Sequence, residues 1–139
     1  MSVSFTIFPR RGLVYVRYEG QVKLQETGAV FAEYARHPDW RPGQRQLVDL
    51  SGVTGFDPDY AELLKIQAQK ADVFLRGATE VLLVYCAPTP ATYAMAEMAR
   101  RSWEGLDGVI VRAVHSEAEA LHLLGQPEDS IAALMASAG

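Results

Sequence analysis

The sequence predicts an open α/β sheet of five strands, mostly parallel, with helices packed against it. Three observations predict this fold. The chain begins with two β-rich segments joined by a turn, short apolar segments then alternate with segments of helical periodicity, and most helical segments open with a capping signal. Because strands that alternate with helices pair in parallel through right-handed crossovers, the expected order is β-β-α-β-α-β-α-β-α.

The first two strands are predicted to form an antiparallel hairpin. Residues 4–8 are rich in β-forming side chains, residues 9–12 contain the Pro and Gly of a turn, and residues 13–18 alternate in polarity. Glu19 and Gly20 are expected to end the second strand. Since only this pair is antiparallel, the first strand is expected at an edge of the sheet.

The later elements follow from periodicity, caps and breakers. The expected helices run from about Gln21 to near His37 and Pro38, from an Asp57 cap with Pro58 at the first helical position to Gly77, from Thr89, from the Ser116 capping box, and from 129 or 130 to 135. The expected strands are 46–50, 80–86 and 109–114. The predicted inward face of the second helix comprises Tyr60, Leu63, Leu64, Gln67, Ala68, Ala71, Phe74 and Leu75.

Composition indicates a single globular domain spanning residues 1–139. Hydrophobic residues make up 49% and charged residues 22%, and the one cysteine excludes an internal disulfide. A net charge of −4 argues against nucleic-acid binding. Arg10, Arg11, Arg41 and Arg45 stand beside Pro or Gly and are interpreted as solvated turn charges, with a small basic contact patch as the alternative. No apolar stretch is long enough to span a membrane and no signal-peptide pattern opens the chain, so a cytoplasmic location is expected.

The most promising surface lies at the carboxyl ends of the parallel strands, where open α/β sheets bind ligands and partners. The segments 51–60, 86–93 and 115–116 are expected to meet along this rim, and the glycine-rich segment after the third strand is predicted to be its longest loop. The candidate interaction or ligand residues of this rim are Ser51, Phe56, Asp57, Asp59, Tyr60, Leu64, Cys86, Thr89, Tyr93 and His115.

Residues 47–53, followed by Asp57, Pro58, Asp59 and Tyr60, resemble the STAS domain, and the chain is most similar to small free-standing SpoIIAA-like proteins of bacteria. This resemblance implies the same fold across the whole chain. It further implies a protein-interaction module of the bacterial cytoplasm that lacks catalytic activity.

The resemblance also places a carboxylate at a regulatory position. In regulatory family members the equivalent of residue 59 is a serine that an anti-sigma kinase phosphorylates, whereas this chain carries Asp59. The expectation is therefore a permanently acidic rim that phosphorylation does not regulate. A simpler interpretation, compatible with the first, is that Asp57 and Asp59 cap a helix and complement its dipole.

No set of residues predicts catalysis, a metal or a cofactor. Cys86 stands at a strand end where some enzymes place a nucleophile, but the following prolines remove the amide donors such a loop needs, so a buried apolar role is expected. His37, His115 and His122 have no metal-ligand spacing. A Mg²⁺ site at Asp49, Asp57 and Asp59 would lack the lysine that completes such pockets.

Two functions remain open at this point. The first is a non-enzymatic interaction module that uses residues 51–64 to contact a protein partner, which a second copy of the chain could supply. The alternative is a carrier or sensor of a small apolar ligand or lipid in the rim crevice, by analogy with lipid carriers of similar architecture. Tyr60 and Tyr93 would then flank the crevice instead of packing on their own helix ends. The exposure of Trp40 and Trp103 also stays open.

Overall fold

The computed structural model describes residues 2–56 and 59–137, which form an α/β domain. The strands are β1 (Val3–Phe8), β2 (Leu13–Val22), β3 (Arg45–Phe56), β4 (Val81–Cys86) and β5 (Val109–Val114). The α-helices are α1 (Leu24–Ala35), α2 (Tyr60–Phe74), α3 (Pro90–Ser102), α4 (Glu117–Leu123) and α5 (Ile131–Ala136).

The five strands form one sheet in the order β1-β2-β3-β4-β5. β1 and β2 are antiparallel, and the other three pairs are parallel. The predicted open, mostly parallel sheet with an antiparallel edge strand is therefore confirmed. Because each parallel crossover moves one strand along the sheet in the same direction, right-handed crossovers place α1, α2 and α3 on one face.

Two apolar layers cover the two faces of the sheet. On the first face, Val48 and Tyr85 pack with α1, α2 and α3; on the second, Leu47 and Val84 pack with α4 and α5. Neighbouring strand residues thus point in opposite directions, as the alternation of side chains in a strand requires. The two faces are separate environments, and a side chain on one cannot contribute to a site on the other.

β2 and β3 are longer than predicted. Glu19 and Gly20 do not end β2, since its pairing with β3 continues to Val22 and Phe56 through two shifts of register. Gly20 has a φ of 67° at one of these shifts, where a glycine allows a bulge. The segment 51–56, predicted as a loop, is the second half of β3.

The glycines of β3 explain the wrong prediction. A Cβ atom at Gly52 would lie 3.2 Å from the Cβ of Glu19, and one at Gly55 would collide with the side chain of Gln21. These glycines admit neighbouring side chains of β2 and do not form a turn. In sequence, the two roles of glycine look alike.

α2 also differs from its predicted position. Its N-cap is Asp59, whose carboxylate accepts a hydrogen bond from the Glu62 amide at 3.0 Å, and not Asp57, which lies outside the described residues with Pro58. The predicted inward face is wrong in part, because Tyr60 and Leu64 are exposed, as is Ala68. The buried residues of α2 are Ile66, Gln67, Ala71 and Phe74.

Three other helices, α3, α4 and α5, start at their capping signals. Thr89 caps α3 within a capping box, and Ser116 and Ser130 cap α4 and α5.

Arg11, expected to be a solvated turn charge, instead forms a bidentate ion pair with Glu128 at 2.7 and 2.9 Å. This pair joins the turn after β1 to the segment between α4 and α5.

Two glycines with positive φ, between α3 and β5, provide a test of the packing against the segment that precedes β4. Gly105 and Gly108 have φ values of 84° and 86°, but only at Gly108 would a Cβ atom meet backbone, 2.6 Å from the carbonyl oxygen of Thr79. We expect Gly105→Ala to lower the free energy of unfolding by about 1 kcal/mol through backbone strain alone. Gly108→Ala should lower it by about 3 kcal/mol, because strain and a backbone clash add. Urea denaturation of both variants measures the difference, and equal losses would contradict the packing described.

Candidate functional site

The space between the first face of the sheet and helices α1, α2 and α3 is not completely filled. Two adjoining cavities of about 50 and 80 Å³ share four lining residues, Tyr18, Thr27, Lys70 and Tyr85. The smaller one lies under α1 and α2, and the larger one lies where all three helices meet. Since protein interiors are normally packed as densely as organic crystals, such space over a core sheet is a candidate binding site.

The larger cavity reaches the carboxyl ends of the longest strands. Val22 of β2 and Phe56 of β3 line it together with Leu63 of α2 and Met95 and Met98 of α3. All five side chains are half-buried, so the cavity comes to the surface between them. Methionine side chains are flexible and polarisable, which suits an entrance that adapts to an apolar guest.

Gln67 supplies a polar group inside the larger cavity. Its side chain is buried and its Nε2 donates to Ser102 Oγ at 3.0 Å, while its Oε1 has no hydrogen-bond partner. The orientation of the amide is determined by Ser102, because the hydroxyl of Ser102 uses its own hydrogen on the carbonyl of Ala99. Ser102 Oγ must therefore accept, which leaves the carbonyl oxygen of Gln67 as the unpaired atom.

Tyr85 supplies the second polar group. Its hydroxyl accepts a hydrogen bond from the indole nitrogen of Trp103 at 3.0 Å. The amide of Gln67 is a second neighbour of this hydroxyl. Burial raises the pKa of Tyr85 well above its ordinary value, with opposing effects from Trp103 and from the amide of Gln67. The group is therefore a neutral donor at physiological pH.

Lys70 is the charged residue among those that line the two cavities. Its side chain is half-buried on α2, and its Nζ lies 5.8 Å from the ring centroid of Phe31 on α1. A cation over an aromatic face is stabilised without an anionic partner. Lys70 thus brings positive charge to the boundary between the cavities while keeping contact with water.

The rim residues predicted from sequence do not assemble into one crevice within the described part of the chain. Tyr93 and His115 stack with ring centroids 4.1 Å apart, and with Pro88 and Pro90 they line a shallow surface depression. Of the predicted rim residues that are described, Phe56 is the one that lines the larger cavity. The segments after β4 and β5 therefore meet, as predicted, but away from the cavity.

Ser51 lies at the carboxylate of Asp49 on the second face of the sheet. Asp49 is buried and accepts from the Tyr15 hydroxyl at 2.6 Å, and from the backbone nitrogen and the hydroxyl of Ser51 at 3.0 and 2.6 Å. Burial, and then Asp49, raise the pKa of Tyr15. This cluster neutralises a buried charge by hydrogen bonding, which is a structural role.

Cys86 is buried beside Asp49, on the face opposite the cavity. Burial, with smaller contributions from the charges of Asp49, Glu117 and Glu119, raises the pKa of its thiol to about 12. Because a thiol must ionise to act as a nucleophile, Cys86 is inert at neutral pH. The prediction that it packs as a buried apolar side chain is confirmed.

The remaining candidates lie at helix starts. Thr89 caps α3 through its hydrogen bonds with Thr92, and Asp59 caps α2. Tyr60 and Leu64 project outward from α2, where they are 38% and 43% exposed. Asp57 lies outside the described residues. Thr89, Asp59, Tyr60 and Leu64 do not line the larger cavity. The exposed face of α2 that carries Tyr60 and Leu64 is therefore a separate surface.

The polar groups of the cavity carry only a weak signal in sequence. Gln67 is expected on the inward face of α2, and a polar residue among apolar ones at an inward position is the signal that marks it. The sequence pattern predicts Tyr85 as part of an apolar strand. It does not predict that Tyr85 and Gln67 line the same cavity. Trp40 and Trp103 both pack against the first apolar layer, Trp103 being almost fully buried.

The reactivity of the Cys86 thiol tests its burial on the second face of the sheet. We expect Cys86 in the native protein to resist alkylation by iodoacetamide at pH 8.5 and to react at once in urea, because the folded thiol titrates near 12 instead of its ordinary 9. As the unfolded thiol ionises first, Cys86 contributes a loss of stability as the pH rises from about 9 to about 12. Mass spectrometry of the alkylated protein measures the reaction, and rapid native labelling would contradict the burial described.

Comparisons with family models and with curated proteins gave no match. Residues 2–56 and 59–137 contain no helix with the length and apolar character needed to cross a membrane. Nowhere in those residues do three His, Cys, Asp or Glu side chains gather as a metal site would require.

Proposed function

We propose that this protein binds a small, mostly apolar molecule between its sheet and helices α1–α3, as a carrier or sensor without catalytic activity. The observation that carries the proposal is the pair of adjoining cavities, which come to the surface beside Met95 and Met98. An engineered apolar cavity of about 150 Å³ holds a benzene ring. The space here is of that order, which indicates a guest of about one ring or a short chain.

The alternation of strands and helices supports a wider kinship. We propose that the chain is a STAS-like domain of the bacterial cytoplasm, close to SpoIIAA-like proteins, in which Asp59 replaces a phosphorylated serine. Asp59 caps α2, so its carboxylate already performs a structural task at that position. Regulation by phosphorylation is therefore absent from the proposal, and a signal would reach the domain as a bound molecule.

Filling the larger cavity tests the proposal. Ala99 lines it and is half-buried, so Ala99→Leu adds three carbon atoms to the space, whereas Ala94→Leu adds the same atoms at an exposed position of α3. At ten times its dissociation constant, toluene should stabilise the native protein by about 1.4 kcal/mol, which raises Tm by about 3–6 °C. We expect Ala99→Leu to abolish this increase and Ala94→Leu to retain it.

Thermal unfolding followed by circular dichroism, with and without toluene, measures these shifts. The far-ultraviolet spectrum of each variant without toluene shows whether it is folded. No stabilisation of the native protein by toluene, or an equal shift in both variants, would contradict binding at this place.

A second candidate function uses the outer face of α2. Tyr60, Leu64 and Ala68 follow one another at helical spacing and are all exposed. Leu64 stands at the centre, with a large side chain on one side and a small one on the other, so an antiparallel copy of the helix would place Tyr60 on the partner's Ala68. A self-complementary patch of this kind favours a twofold homodimer over an unrelated partner.

The oligomeric state tests this second candidate. Leu64→Lys places a charge at the centre of the patch, and Leu123→Lys changes an equally exposed leucine on α4, on the other side of the sheet. By size-exclusion chromatography with light scattering, we expect a dimer for the native protein and for Leu123→Lys, and a monomer for Leu64→Lys. A native monomer at high concentration would exclude self-association through α2.

A further inference from the structure

The larger cavity contains hydrogen-bonding capacity that the protein does not use. Gln67 Oε1 is a buried acceptor without a partner, and the Tyr85 hydroxyl retains a proton after accepting from Trp103. Both residues line this cavity. A buried amide oxygen without a partner costs free energy that a hydrophobic residue at the same position would avoid, so its presence points to a partner that arrives with a ligand.

We propose that the ligand bound here is neutral and carries a hydroxyl group, as a phenol or a small alcohol does. The hydroxyl donates its proton to Gln67 Oε1 and accepts the proton of Tyr85. A hydroxyl is the simplest group that both donates and accepts, so it satisfies the two unused groups together. This inference rests on the proposed function, because it presumes that the cavity binds a small molecule.

The charges around the cavity favour a neutral group. Neither Gln67 nor Tyr85 carries a charge, and an ionised ligand beside them would lose its hydration without gaining an opposite charge. The cation of Lys70 lies toward Phe31 on α1 and stays half-buried. An acidic ligand would instead place its carboxylate near Lys70. Binding of benzoate is therefore compared with binding of phenol, in the native protein and in Lys70→Met.

Phenol and toluene form the matched pair of probes, because they differ in one hydroxyl that replaces a methyl group. The ratio of their dissociation constants is measured by isothermal titration in the native protein and in Gln67→Met, which keeps the length of the side chain and removes its polar atoms. Since the hydration of each probe cancels in this comparison, we expect the variant to raise the phenol-to-toluene ratio about 10-fold. Tyr85→Phe should raise it in the same direction.

The outcomes distinguish a failure of the proposed function from a failure of the hydroxyl assignment. If neither probe binds the native protein, the proposed function fails. If toluene binds and the ratio is the same in the native protein, Gln67→Met and Tyr85→Phe, the cavity is a binding site but the hydroxyl assignment is overturned. Benzoate that binds more tightly than phenol, with a loss of about 10-fold in Lys70→Met, would also overturn it by placing an anionic group at Lys70.

Discussion

The long parallel pairing of β2 with β3 is the constraint on which the rest of the domain depends. β3 pairs with β2 from Arg45 to Phe56 but with β4 only from Gln46 to Asp49. The half of β3 that follows Asp49 therefore extends past β4. Its buried side chains Leu50 and Val53 must be covered, that is, shielded from water, by elements other than β4. Helices supply that cover, and the larger cavity forms where their side chains meet Leu50 and Phe56 without filling the space.

A cluster of aromatic rings joins these helices. Phe74 of α2 contacts Phe31 of α1 edge to face, with ring centroids 5.1 Å apart, and lies 6.0 Å from the ring of Trp103 after α3. Edge-to-face contacts are favourable for aromatic rings, and each such pair contributes about 0.5–1.5 kcal/mol beyond the area that it buries. These contacts join α1, α2 and the residue that follows α3, so they fix the helices that border the cavities.

Local signals in the sequence predict the order of elements, the edge strand and the caps at Thr89 and Ser116. They fail where a residue's role depends on a distant neighbour. Gly52 and Gly55 resemble loop glycines until β2 is known to run beside them, and Arg11 resembles a solvated charge until Glu128 is brought to it from 117 residues away. The cavity could not be predicted for the same reason. Periodicity shows which residues point inward but not whether they fill the space between three helices.

The division between the two faces of the sheet bears on what the protein can do with a bound molecule. The buried thiol of Cys86 and the buried carboxylate of Asp49 belong to the second face, while the cavities belong to the first. The described residues that line the cavities offer three phenols, two amides, a threonine hydroxyl, an indole and an amine, but no thiol, imidazole or carboxylate. In the function that we propose, Gln67 and Tyr85 recognise the bound molecule on the first face, and the sheet separates that molecule from both Cys86 and Asp49.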